Sequence, residues 1–109
     1  MVIIPTKDVI IKNRTEEDLK DIYLSYEGLE KHPFKISKIS KNGQVLTSLC
    51  LSHLTKPTNL VLLYYVNDVK EEVVVYENMT YNDLNRLTVI ISKNGDKLNV
   101  ETTIGENNI

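Results

Sequence analysis

The sequence predicts an α+β fold: about eight short strands, mostly antiparallel and built from hairpins, in the order ββ-α-ββ-ββ-α-ββ, with two helices covering one face. Three observations carry this expectation. Runs of β-branched and aromatic residues of strand length recur along the chain. Asn-Gly pairs, the favoured centre of a two-residue hairpin turn, occur at Asn42-Gly43 and Asn94-Gly95. The pattern Thr-x-x-Asp-Leu occurs at 15–19 and 80–84, with threonine as a helix cap and aspartate at the third helical position.

Taken in order, residues 2–4 and 9–11 read as two short strands separated by a turn at Pro5-Thr6-Lys7-Asp8. A helix is expected over about 16–27. Thr15 caps it, and Glu16, Glu17 and Asp18 sit at the positive end of its dipole. Leu19, Ile22, Tyr23, Tyr26 and Leu29 recur at helical spacing, while Gly28 and Pro33 close it.

A hairpin on Asn42-Gly43 would pair Phe34 with Leu51, Ile36 with Leu49 and Ser40 with Val45. Ile39 and Leu46 would meet on its other, otherwise polar face. The second hairpin, on Asn94-Gly95, would pair Ile91 with Leu98, Val89 with Val100 and Leu87 with Thr102, giving one dry and one wet face. Between them, residues 60–66 are apolar on both sides and read as a central strand. They turn into 72–76 through a loop of two or four residues, four giving the better pairs, Tyr64 with Val73 and Leu62 with Val75. A short second helix follows, capped by Thr80 with Asp83 in its first turn, and Met79 and Leu84 form a hydrophobic staple. The polar residues 105–109 read as a frayed tail.

The 109 residues fit one domain, 1–109. Hydrophobic content of 41% and charged content of 26% exclude general disorder, and no apolar run reaches the length of a membrane span. The N-terminus lacks the form of a signal peptide. The single cysteine, Cys50, excludes an internal disulfide framework and fits a reducing, cytoplasmic setting. A net charge of −2 excludes a globally basic nucleic-acid binder. Alanine and tryptophan are absent and lysine far outnumbers arginine. This bias follows AT-rich codons, as in a low-GC bacterium, archaeon, phage or virus; for a viral protein the setting is the host cytoplasm.

Motifs for chemistry are weak. His32 and His53 fall opposite each other if the first hairpin register extends, which offers two positions of a metal site; Pro33 interrupts that register and a third ligand is missing. Cys50 lies mid-strand in Leu49-Cys50-Leu51 with no base beside it, and reads as a small semi-buried thiol. Acidic residues at 16–21 and 68–77 have structural reasons to be where they are. The sequons at Asn13 and Asn78 read as coincidence. No cofactor is expected, and no enzymatic activity. The basic stretch Lys31, Lys35, Lys38 and Lys41, with Phe34 inside it, outlines a nucleic-acid surface. If the 60–66 strand were an edge and not a centre, Val61, Leu63 and Tyr65 on its one face would form an exposed apolar stripe suited to a protein partner. The leading expectation is a small non-enzymatic accessory protein that works by protein–protein contact, with self-association as a homodimer through a sheet edge or face. The alternative is a nucleic-acid-binding module using the 31–41 lysines.

Overall fold

The computed structural model describes residues 6–26, 33–51, 54–66, 68–80, 85–95 and 97–104, and among these residues the fold is all-β. Eight strands run β1 Thr6–Asn13, β2 Leu19–Ser25, β3 Phe34–Ile39, β4 Gln44–Cys50, β5 Thr58–Val66, β6 Val69–Met79, β7 Leu87–Asn94 and β8 Lys97–Ile104. They form two four-stranded sheets, ordered β4-β1-β7-β8 and β3-β2-β5-β6. The sheets enclose one core, to which Val9, Ile11, Leu87, Val89 and Ile91 contribute from the first, and Ile22, Leu24, Leu60 and Leu62 from the second. Pairing is antiparallel throughout except between β1 and β7, which run parallel.

The α+β expectation is therefore corrected, and the first helix shows why. Residues 19–25 are a strand, paired on one side with β3 and on the other with β5. The three-residue step from Leu19 to Ile22 that mimics a helix comes from a local distortion at Asp21, whose φ is 55°. Aspartate is among the few residues that tolerate this left-handed region. Beyond it, Ile22, Leu24 and Tyr26 alternate into the core as a strand requires. Opposite, β3 makes the same three-residue step, so that Ile36 and Ile39 are both buried. The second expected helix falls on residues 81–84, outside those described; Met79 ends β6, fully buried.

The Asn42-Gly43 hairpin is also corrected. β3 and β4 belong to different sheets, and residues 40–43 form the corner between them. The Gly43 amide donates to the Ser40 carbonyl at 2.8 Å, and Asn42 has φ 59°, the left-handed third position that a type II turn needs. Accordingly Ile36 pairs with Ile22, and Leu49 with Lys7.

Besides the antiparallel pair β2–β3, two hairpins with short turns occur among the described residues. β7 and β8 pair with Asn94 opposite Lys97 and Gly95 at φ 68°. The turn is thus one residue further on than expected, and the register moves by two, with Ile91 opposite Val100. A shift of two preserves faces, so Leu87, Val89 and Ile91 are still buried. β5 and β6 turn through two residues, with Val66 opposite Val69 and Asp68 at φ 66°. Tyr64 therefore meets Glu71, and Leu62 meets Val73, in place of the four-residue register. Two register shifts then bend the longest strand pair, one between Thr58 and Leu60, where Asn78 has φ 57°, and one between Leu60 and Val61. At the N-terminus, residues 6–8 belong to β1 and make no turn.

Candidate contact surface

β5 is the central strand that its apolarity implied, flanked by β2 and β6. Its inner residues Leu60, Leu62 and Tyr64 enter the core. Its outer face carries Val61, Leu63 and Tyr65, and register places them among neighbours: Ser25–Val61–Val74 form one row and Tyr23–Leu63–Glu72 the next. Tyr65 lies opposite Lys70, and its ring meets Tyr23 edge to face, with centroids 6.5 Å apart. Exposure along the stripe is uneven. Leu63 is 8% exposed because the side chains around it close over it, whereas Tyr65 is 53% and Val74 48% exposed. The result is an apolar centre rimmed by charge. Lys35 pairs with Asp21 at 3.4 Å and Lys70 with Glu72 at 3.9 Å on its flanks.

The lysines of the nucleic-acid expectation are placed by the same distortion that made β2 look helical. Because β3 also steps by three residues, Lys35 and Lys38 are both exposed while Ile36 and Ile39 are buried. Lys38 stands opposite Lys20 and pairs with Asp18 at 3.4 Å. The Lys41 backbone amide donates to Asp18 Oδ1 at 3.0 Å. That amide holds the Asp18 carboxyl below the ordinary 3.8, against an opposing desolvation effect, with Lys38 adding to the lowering. The basic strand is thus interleaved with Asp18 and Asp21.

His32 and His53 lie outside the described residues. Among those described, no three His, Cys, Asp or Glu come together as a metal would need. Cys50 is exposed, and not semi-buried as expected; it ends β4 opposite Thr6. Its carbonyl accepts the Tyr26 hydroxyl at 2.9 Å, and burial, with a smaller effect from Cys50, raises the Tyr26 pKa above 10.0.

Two buried polar groups have no counterpart in the sequence reading. Lys7 is fully buried: its Nζ donates to the Asn85 carbonyl at 2.7 Å and lies 4.4 Å from the centre of the Tyr76 ring. Asn13 is equally buried and ties three segments together. Its Nδ2 donates to the carbonyls of Glu17, Ile39 and Ser40, and its Oδ1 accepts from the Thr15 amide and hydroxyl. The sole advance signal was Asn13-x-Thr15, read as a sequon; its side chain is consumed by the fold. Thr15, expected to cap a helix, caps none: its Oγ1 accepts from the Glu17 amide at 3.3 Å within the turn that opens into β2.

An open cleft of about 440 Å³ lies at one end of the sandwich, lined by Glu17, Lys20, Tyr64, Lys93 and Leu98 among others. Glu17 and Lys93 are paired across it at 3.3 Å. Burial, then the Glu71 charge, raises the Tyr64 pKa above 10.0.

No family model matches the chain, and no curated protein matches it. Its fold is similar to that of a protein from Eubacterium rectale solved by NMR, with a TM-score of 0.55 over 96% of this chain and 93% of that one. At 12% identity the likeness is one of fold alone.

Proposed function

We propose that this chain is a small non-enzymatic accessory protein that acts by protein–protein contact, with the outer face of the β3-β2-β5-β6 sheet as its binding surface. One observation supports this most: Tyr65 and Val74 stand exposed beside the half-buried Val61 and the buried Leu63, with the Lys35–Asp21 and Lys70–Glu72 pairs on the flanks. An apolar centre with a polar rim is the anatomy of a protein interface, and tyrosine anchors such centres well. Self-association through a sheet edge or face belongs to the same reading. A cytoplasmic setting, the host's if the source is viral, fits the single exposed thiol.

The test is capture from the source organism by the immobilised protein, comparing wild type with Tyr65→Ser and Val74→Lys. Expected is a protein whose retention falls at least tenfold with either change while the circular dichroism spectrum is unchanged. Retention independent of Tyr65 and Val74 sinks this surface.

A second reading, nucleic-acid binding, has support of its own, because Lys35 and Lys38 are exposed on one sheet with Tyr23 and Tyr65. A gel shift at low salt with charge reversals of Lys35, Lys38 and Lys41 separates the two; absence of a shift for the wild type ends the nucleic-acid reading.

A further inference from the structure

We propose that β4 is a self-pairing edge, through which two copies of this chain join their β4-β1-β7-β8 sheets about a two-fold axis at Leu46. This rests on the reading of the chain as one that acts by contact, and names the edge that a second copy would occupy.

Four strands end the two sheets: β4, β8, β3 and β6. Three of them carry the charges that ordinarily guard an edge against strand addition. These are Lys35 and Lys38 on β3, Lys70, Glu71, Glu72 and Glu77 on β6, and Lys97 and Glu101 on β8. β6 and β8 also approach each other along one side of the sandwich. β4, Gln-Val-Leu-Thr-Ser-Leu-Cys, has no charge and no proline. It contains no residue of positive φ, and its ladder with β1 runs unbroken from Gln44 to Cys50. Among the described residues no strand lies beyond it. Leu46, near its middle, is 59% exposed beside the half-buried Ile10.

Charge decides the occupant. A partner recognised by ion pairs finds nothing on β4 to pair with, whereas a second β4 is equally neutral and meets it with no like charges opposed. Antiparallel pairing about Leu46 sets it against the partner's Leu46, Val45 against the partner's Thr47, and Gln44 against the partner's Ser48. The outer-face leucines then cover each other, and the inner-face residues extend the two cores side by side. Both ends of the ladder are defined. Tyr26 occupies the Cys50 carbonyl, and the chain leaves the sheet at the Ser40–Gly43 corner.

The experiment is light-scattering mass across concentration, up to about 100 μM, where a contact of micromolar strength is saturated. The expected mass is twice that of the 12.5 kDa chain. Leu46→Lys places two ammonium groups face to face on the axis and returns the monomer mass, with the far-ultraviolet spectrum unchanged because the side chain is at the surface. Leu46→Cys in a Cys50→Ser background forms a covalent dimer under mild oxidation, since directly opposed residues sit about 5.5 Å apart, within disulfide reach. A wild type of monomer mass at every concentration overturns the proposal, even if Tyr65-dependent capture of another protein upholds the contact reading. A dimer that survives Leu46→Lys also overturns it; if Tyr65→Lys dissolves that dimer, the outer face is the self-association surface.

Discussion

Asn13 and Lys7 show how much single side chains decide in this molecule. Asn13 supplies donors to three backbone carbonyls and an acceptor to Thr15, in a site without solvent. Asn13→Ala should therefore lower stability by about 2–4 kcal/mol, since buried partners lose their bonds together. Thr15→Val, which removes one hydroxyl, should cost about 1 kcal/mol. Urea unfolding midpoints measure both. Lys7 calls for a different expectation. Most of its buried surface is aliphatic stem, and Asn85, whose carbonyl it holds, is exposed and can be hydrated instead. Lys7→Met should stay within about 1 kcal/mol of wild type, and Lys7→Ala should cost about 3 kcal/mol through the cavity it leaves. A Met variant as damaging as Ala would refute that division. Asp18 makes a pH prediction. Its folded pKa lies below 3.8, so its contribution is present above about pH 4 and is lost as pH falls through the folded value. Wild type and Asp18→Asn should differ in unfolding midpoint at neutral pH and converge on acidification.

Among elements, the sharpest comparison is between two copies of Ile-Ser-Lys-Asn-Gly. At 39–43 the pentapeptide turns the chain between sheets, with Asn42 as its left-handed residue; at 91–95 it enters a hairpin, with Gly95 in that role. The same five residues thus place the left-handed position one residue apart. What differs is the setting. The end of β1 and the residue after it donate to both copies, Asn13 to the Ile39 carbonyl and the Arg14 amide to the Ile91 carbonyl at 2.7 Å, and the Asn13 amide also holds the Gly43 carbonyl. Glycine substitutions should separate the two turns. At Gly95 a Cβ meets nothing within 4 Å, so Gly95→Ala should cost only its backbone strain, about 1 kcal/mol. At Gly43 a Cβ would lie 3.0 Å from the Ser40 carbonyl oxygen, the atom that Gly43 itself bonds. Gly43→Ala should cost about 1–2 kcal/mol through that clash, while Asn42→Gly should be nearly neutral. Thermal unfolding of the three variants measures these costs.

The whole molecule is a sandwich whose first sheet cannot form from neighbours in sequence. β1 pairs with β4 on one side and with β7 on the other, and Val9 meets Leu87 only after most of the chain has been placed. Contacts of this separation are slow to close, so refolding followed by tyrosine fluorescence should take about milliseconds to seconds. If the β4 pairing holds, the unfolding temperature should also rise with protein concentration, and should not do so for Leu46→Lys.

The strand-rich character, the central position of 60–66 and the inward set Leu87, Val89 and Ile91 were legible in the sequence. Each follows from side-chain period, which acts over a few residues. Val61, Leu63 and Tyr65 were legible as one strand face, but the shielding of Leu63 by its neighbours was not. Nor was the strand at 19–25 or the inter-sheet corner at 40–43. A local distortion at Asp21 gives apolar residues a three-residue step that sequence spacing reads as helical, and only the β3 and β5 backbones on either side make it a strand. An Asn-Gly pair permits a left-handed residue wherever one is needed. Whether the strands on either side of it then pair or part is decided by what β1 and β2 offer them, because a ladder of backbone bonds forms with whichever strand the shared core brings alongside.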